Sequence, residues 1–484
     1  MISDANSSED LDNLGSRSAS LEEQEPKHQG PVWQQGQLVE LEITDLSPKG
    51  DGVGRWGEGQ RVVFVPNTVT GDRILARLVW VKPRFAHGQI HQLLQASTHR
   101  VRPACIVADK CGGCQWQAVD YAYQLQAKHD QVVQALERIG GFMSPIVDLP
   151  LAAPKTLGYR NKVTYPMGFN PTLAKVQAGY YRKGSHQLIN LNQCPVQDSA
   201  FDPLLANLKQ DIQARGWTIY TEQSHQGQVR HLSLRIGRRT GEILITLVVC
   251  EGNLPDLDLQ AQTWLAEYPG LVGVCLNVNP HRTNRIFGAE TICVAGRDYL
   301  REEFAGLQFH LRPDTFFQIY TEQAERLVAV IIDQLQLTGK EQVVDLYCGV
   351  GTLTLPLAKR VASIVGIEVQ EAALQLAQTN AALNQITNTQ FALGTAKDCL
   401  AQLKFAPDLV VLDPPRKGCH EVVIAQLLML KPRQIVYISC HPATLARDLA
   451  RLCATGRYQL RRVQPADFFA QTAHVESVAF FRLY

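Results

Sequence analysis

Val343-Val-Asp-Leu-Tyr-Cys-Gly-Val-Gly-Thr352 is the stretch on which the fold turns. Val343 to Leu346 suit a short buried strand, and they run directly into a turn with glycines at 349 and 351. Glycine lets main chain approach a ligand closely, so this turn marks a nucleotide-like cofactor at the carboxyl edge of a parallel sheet. The flanking sequence supplies the rest of that sheet. Ile364-Val-Gly-Ile-Glu368, Asp408-Leu-Val-Val-Leu-Asp413 and Gln434-Ile-Val-Tyr-Ile-Ser439 read as further buried strands, each separated from the next by a helical stretch. Such alternation makes an α/β, doubly wound parallel sheet. The segments 458–463 and 475–483 have no helix between them and read as an antiparallel edge hairpin.

The chemistry of the edge narrows the cofactor. A dinucleotide-binding turn needs a third glycine three residues on, where Thr354 stands. S-adenosylmethionine has no pyrophosphate and makes no such demand. Glu368 closes the second strand and is placed to accept both ribose hydroxyls. The combination predicts a Rossmann-like methyltransferase domain rather than a dehydrogenase; in isolation Glu368 would read as an exposed strand-end acid. Asp413-Pro-Pro415 ends the fourth strand, its prolines fixing the backbone so that Asp413 points into the crevice. This loop is similar to the Asp/Asn-Pro-Pro-aromatic loop of amino-group methyltransferases. Arg416 stands where the aromatic would stack on a target base, which weakens an amine-methylating reading.

The fifth strand ends Ile438-Ser-Cys-His-Pro442, with a thiol at the same edge. A thiolate adding to carbon 6 of uracil turns the ring into an enolate whose carbon 5 attacks a sulfonium methyl. The proton left on carbon 5 needs a base, and Glu476 in Ala473-His-Val-Glu476 is the best-placed candidate. Outside this company Cys440 would read as a packing residue and Glu476 as a surface acid.

At 484 residues the chain exceeds one ordinary core, so several domains are expected. Apolar residues make up 45% and charged residues 19%, a globular composition, and no run approaches the length of a membrane span. No basic segment followed by an apolar stretch opens the chain, so a cytoplasmic, reducing setting and thiol or metal-bound cysteines are expected. The net charge of +1 hides an asymmetry: residues 1–30 carry seven acids against Arg17 and Lys27, which leaves +6 on the remainder. That opening segment reads as a disordered acidic tail. Residues 31–97 read as a small OB-like β-barrel, with apolar alternations at 37–43, 61–65 and 73–80 separated by glycine-rich turns such as 49–54. Between Arg73 and Arg102 there are six Lys or Arg, three His, no acid, and the interleaved rings of Trp80 and Phe85. An oligonucleotide-binding face and a plain solvated face fit this equally.

Residues 98–310 read as a mixed, β-rich central domain, with a helix over 119–139 and basic patches at Arg160, Lys162, Arg182, Lys183, Arg235, Arg238 and Arg239. Cys105, Cys111 and Cys114, with Cys194 before Pro195 about eighty residues later, form a four-thiolate set for zinc or an iron–sulfur cluster, and spacing does not choose between them. One tight group plus a distant Cys-Pro is nearer to iron–sulfur ligation than to paired Cys-x-x-Cys zinc sites.

Asp345-Leu-Tyr-Cys-Gly-Val-Gly, Leu412-Asp-Pro-Pro-Arg-Lys-Gly, Ser439-Cys-His-Pro and His474-Val-Glu, in that order, strongly resemble the RNA 5-methyluridine methyltransferases, above all the branch acting on 23S ribosomal RNA. The resemblance covers residues 31–484. It implies a class I methyltransferase domain over 311–484, a TRAM domain as the first barrel, and packing of helix 119–139 on the catalytic domain. It implies that Cys440 is the nucleophile and Glu476 the base, and that Gln318 in Phe316-Phe-Gln318, Tyr347, Glu368 and Asp413 contact S-adenosylmethionine. A [4Fe–4S] cluster on the four cysteines is implied over zinc, as is an RNA partner, ribosomal before transfer RNA. His441 departs from the family, which usually has Asn after the nucleophile. We expect a monomer. The competing readings are a transfer-RNA uridine-5 enzyme, an RNA 5-methylcytidine methyltransferase, and a non-catalytic RNA-binding iron–sulfur protein.

Overall fold

The computed structural model describes residues 33–484, so the acidic tail read over 1–30 lies outside the described residues. The first element is a closed barrel of β1 (Leu38–Leu46), β2 (Gly52–Trp56), β3 (Arg61–Val65), β4 (Arg73–Val81) and β5 (Phe85–Gln95), in the order β1-β2-β3-β5-β4. Alternation sends Val39, Leu41 and Ile43 of β1 and Ile74, Ala76 and Leu78 of β4 inward to fill it. The segment 49–54, expected as a turn, gives its second half to β2. Its glycines serve close packing, since a Cβ on Gly52 would stand 2.0 Å from Thr68 Oγ1.

Helix α1 (Tyr121–Arg138) begins where the Asp120 carboxylate accepts from Tyr123 N at 3.0 Å. Its Val132 and Leu136 enter the C-terminal core. Fully buried Lys128 donates to Asp467 Oδ1 at 2.6 Å, clasping the early helix to the late domain.

The central sheet is built from β6 (Lys162–Asn170), β7 (Lys175–Tyr181), β8 (Leu188–Asn190), β9 (Val229–Ile236), β10 (Ile243–Val249), β11 (Leu271–Val278) and β12 (Glu290–Gly296). Its order is β12-β11-β10-β9-β6-β7-β8, and its helices are α2 (Phe201–Ala214) and α3 (Leu257–Glu267). Leu232, Leu234, Ile245 and Leu247 form its core with Leu208 and Trp264. A hairpin, β13 (Leu300–Phe304) and β14 (Leu307–Leu311), leaves this sheet and packs Phe304 edge-on to both Phe309 and Phe317 inside the C-terminal core.

The C-terminal unit runs α4 (Thr321–Leu335), β15 (Gln342–Leu346), α5 (Thr354–Ala358), β16 (Ser363–Glu368), α6 (Glu371–Leu383), β17 (Thr389–Leu393), α7 (Ala396–Ala401), β18 (Leu409–Leu412), α8 (Glu421–Leu430), β19 (Gln434–Ser439), α9 (Pro442–Cys453), β20 (Tyr458–Ala466) and β21 (Glu476–Leu483). The sheet order is β17-β16-β15-β18-β19-β21-β20, in which β21 alone is reversed, antiparallel to both β19 and β20. The antiparallel hairpin expected at the sheet edge is there, with β21 inside, between β19 and β20, and β20 outermost. Six consecutive buried residues on β21 explain this, because a strand covered on both faces and both sides has no polar alternation. The half-exposed edge strand β17 is absent from the sequence reading, since its Thr389-Gln-Phe-Ala-Leu393 carries no strong apolar run. Among the described residues no helix is long and apolar enough to cross a membrane.

Candidate active site

Strand pairing brings the thiol and the acid together. On the antiparallel ladder β19–β21, Ser439 lies opposite Ser477, so the next step places Cys440 beside Glu476. Glu476 is buried, and that burial raises its carboxyl well above the ordinary range; Asp413 adds to the shift and Arg416 opposes it. The half-buried Cys440 thiol is likewise raised by burial, with Glu476 pushing the same way, while the Arg416 guanidinium hydrogen-bonds it and acts in the opposite sense. Burial also raises the Asp413 carboxyl. One cation therefore faces two carboxyls and a thiol, and it is the group able to favour a thiolate here.

Arg416 is itself held. Its Nη2 stands 3.2 Å from His474 Nδ1. Burial and the adjacent Arg416 press the His474 imidazole down to about 4, although the residue keeps part of its surface in solvent. A neutral ring with Nδ1 free accepts from Arg416. Beneath the loop, fully buried Asp448 accepts from Tyr437 Oη at 2.6 Å and from Cys419 N at 2.9 Å, and Arg447 Nη2 donates to Lys417 O at 2.8 Å. A Cβ on Gly418 would come within 2.4 Å of Asp448 Oδ2, so glycine is required at that approach, where φ is +78°. His441 turns away from the chemistry: its Nδ1 accepts from Thr444 N at 3.3 Å and caps α9. Asn is an equally good N-cap, which accounts for the exchange at this position.

The cofactor edge lies alongside. Tyr347 takes a left-handed conformation, φ 67°, and Gly349 N donates to Glu368 Oε2 at 3.0 Å. Glu368 Oε1 accepts from Val369 N and Gln370 N, both at 2.8 Å. Tyr347, Glu368, Val369, Gly394, Thr395 and Pro415 line a cleft of about 870 Å³, a volume suited to a nucleoside-sized ligand. Thr354, which stands where a dinucleotide fold has glycine, donates its hydroxyl to buried Asp345 Oδ2 at 2.5 Å. Burial pushes that carboxyl up to about 7, and its Oδ1 meets no donor among the described residues. Gln318 does not line the cleft. It sits on the segment between β14 and α4, half-buried, its carbonyl accepting from Asn161 Nδ2 at 2.8 Å.

A second grouping lies in the central domain. Cys105, Cys111, Cys114 and Cys194 line one narrow cavity of about 20 Å³, room for a single water, together with Tyr180 and Arg160. Among the described residues no group of three or more His, Cys, Asp or Glu is arranged to hold a metal ion, so neither the zinc nor the iron–sulfur reading gains support from the geometry. The donor set is all thiol, no acid lines the cavity, and buried Arg160 Nε has no partner among the described residues. An anionic thiolate group would satisfy that orphaned N–H, so the donor chemistry suits thiolate ligation, although the cavity has room for one water and not for a cluster.

Comparison with known proteins gives the family. A family model described as tRNA (uracil-5-)-methyltransferase matches residues 281–483, and one for the TRAM domain matches residues 32–91. An uncharacterized RNA methyltransferase of Nostoc sp. is 61% identical over 93% of this chain and 97% of its own length. The chain belongs to the RNA (uracil-5-)-methyltransferase family. A further uncharacterized RNA methyltransferase, from Listeria monocytogenes, is 35% identical over 92% of this chain and 98% of its own length. Among solved structures, the Pyrococcus abyssi tRNA (uracil-54, C5)-methyltransferase in complex with S-adenosyl-L-homocysteine superposes with a TM-score of 0.72 at 28% identity, covering 91% of this chain and 99% of that one.

In this RNA methyltransferase the side chains that sequence reasoning missed are those acting through others. Arg416 was legible only as a missing aromatic, and its place beside Cys440 comes from the loop fold. Asp448 carried one signal, an acid inside the otherwise apolar face of α9, whose buried residues include Leu445, Ala446, Leu449 and Leu452.

Proposed function

We propose that the enzyme methylates carbon 5 of a uridine in ribosomal RNA, with Cys440 as nucleophile and Glu476 as base. The adjacency of Cys440 and Glu476 across the β19–β21 ladder, with Arg416 acting on both, is the observation that carries this reading. S-adenosylmethionine supplies an electrophilic methyl; Glu368 and Tyr347 line the cleft for its nucleoside, and Asp413 and Gln318, outside that lining, are assigned as further contacts on the motif resemblance alone. The Cys440 thiolate bonds to carbon 6 and the ring's electron pair moves out to the carbonyl oxygen at position 4. Carbon 5 then takes the methyl, Glu476 removes the carbon 5 proton, and the carbon 6–sulfur bond breaks to return the thiolate. The raised Glu476 carboxyl makes its ionised form a better proton acceptor than an ordinary carboxylate. A uridine reaches the thiol only outside its stack, so the substrate presents it unpaired.

The test is Glu476→Gln with methyl-labelled cofactor. The amide keeps the shape but accepts no proton, so methylated RNA is expected to stay bonded to Cys440 through denaturing electrophoresis. Free methylated RNA at the wild-type rate removes Glu476 from the role of base. A transfer-RNA substrate is favoured by the Pyrococcus abyssi structure, and mapping 5-methyluridine in both RNA classes with and without the enzyme decides between them.

The four cysteines are assigned a [4Fe–4S] cluster on the chemistry of their cavity and on the motif resemblance. Anaerobically purified protein is expected to be brown and to lose its charge-transfer absorbance in Cys111→Ser and Cys114→Ser. Stoichiometric zinc without iron would overturn the assignment.

A further inference from the structure

The main chain carrying Phe316 and Gln318 is held by the other domain. Residues 312–320 form no regular structure, and five of their carbonyls accept from groups of the central sheet. Lys162 Nζ donates to Pro313 O at 2.8 Å. Arg235 donates to Arg312 O at 2.5 Å and to Thr315 O at 2.8 Å. Asn161 Nδ2 donates to Gln318 O at 2.8 Å and to Thr321 Oγ1 at 2.9 Å, and its main-chain N to Ile319 O at 3.0 Å. On its other side the segment reaches the cofactor cleft, because Gln370 Nε2 donates to Asp314 O at 3.3 Å and Gln370 N to Glu368 Oε1 at 2.8 Å.

This arrangement is unfavourable for stability alone. Lys162 and Arg235 are cross-strand partners on β6 and β9, two cations side by side with Asp314 of the held segment as the one acid acting on both. Burial presses the Lys162 ammonium well below its ordinary range, with Arg235 adding to the effect. Apolar side chains would fill the same space at lower cost. What they would lose is the set of donors that fixes an irregular segment whose Phe316 is 65% exposed.

We propose that Asn161, Lys162 and Arg235 are positioning residues that hold the Phe316–Gln318 segment against the cofactor cleft and thereby set the affinity for S-adenosylmethionine. The inference rests on the reading of Gln318 as a cofactor contact. It assigns the central domain a part in methyl transfer that is independent of RNA.

Titration calorimetry with S-adenosylhomocysteine on the full chain, alongside thermal melting, tests it. Lys162→Met removes a buried charge and a donor together. It is expected to leave the melting temperature unchanged or raised while weakening the ligand about tenfold, since donors lost from buried carbonyls let the segment drift. Lys162→Arg restores binding. Asn161→Asp, equal in shape but without the donor, weakens binding to a similar degree, and in steady state the cofactor KM rises while the RNA KM does not. Gln318→Ala is the control. If it weakens the ligand while Lys162→Met and Asn161→Asp bind as wild type, this proposal falls alone. If Gln318→Ala binds as wild type, the cofactor assignment of Gln318 falls and this proposal with it. A melting temperature that drops in step with affinity and is not rescued by Lys162→Arg makes the role structural, which also overturns it.

Discussion

Asp345 shows how a single buried side chain carries the signature of a cofactor edge. It ends up dry because β15 is central in its sheet, and its one neutral donor, Thr354, leaves Oδ1 open. The folded carboxyl lies near 7 against an unfolded value near 4, so between those values the folded protein binds more protons than the unfolded chain. Its contribution to stability is present at low pH and is lost as pH rises through about 7. His231 and His474, both pressed down to about 4, act in the opposite sense over the acid part of this window, so the test is differential. Asp345→Asn keeps the Thr354 contact and cannot ionise. Its melting temperature is expected to gain on wild type by a few degrees, roughly 5 °C, between pH 5 and pH 7.5. A constant gap would contradict the raised carboxyl.

At the scale of elements, the barrel's outer face on β3, β4 and β5 departs from the polar surface a small barrel normally shows. Phe64, Trp80, Phe85 and His87 contact one another at centroid distances of 5.4 to 6.1 Å, Trp80 is 44% exposed, and Lys82 Nζ lies 4.9 Å over the Trp80 ring. Rings and cations in that proportion suit unpaired bases and phosphates. Trp80→Ala is therefore expected to weaken RNA binding by about 5- to 150-fold, the worth of one stacked base, while leaving the salt dependence unchanged. Lys82→Ala should instead flatten the salt dependence by about one unit of slope. Equal RNA affinity of Trp80→Ala and wild type would make the cluster a packing feature. The sequence left this face evenly balanced between binding and solvation; the structure adds that Phe64, from a third strand, completes the cluster. No local pattern encodes that, because β3 and β5 become neighbours only when the barrel closes.

Over the whole molecule, the order of the chain and the order of the domains differ. Helix α1 precedes the central sheet yet packs on α9 and β20, and the buried Lys128–Asp467 pair joins segments 339 residues apart. Lys128→Ala would leave Asp467 charged, dry and short of a donor, at a cost of about 3–5 kcal/mol. Denaturant unfolding should show that loss, whereas Lys128→Met with Asp467→Leu together should recover most of it. If Lys128→Ala costs less than about 1 kcal/mol, α1 is not clasped as described.

What the sequence by itself determined was whatever depends on neighbours in the chain: the strand-glycine turn at 343–352, the acid at 368, the proline-fixed loop at 413–415 and the strand-end thiol at 440. Each is a local conformation with its chemistry attached, and a short motif is enough to write it. The tertiary structure alone decided which charges meet. The Arg416 contact with Cys440, the raised carboxyl of Glu476 and the grip of Asn161 on the Gln318 segment all arise between elements remote in sequence. Burial sets these energies, and burial is a property of the packed molecule: the same carboxyl is an ordinary acid in water and a strong base once β19, β21 and the loop at 413–416 close around it.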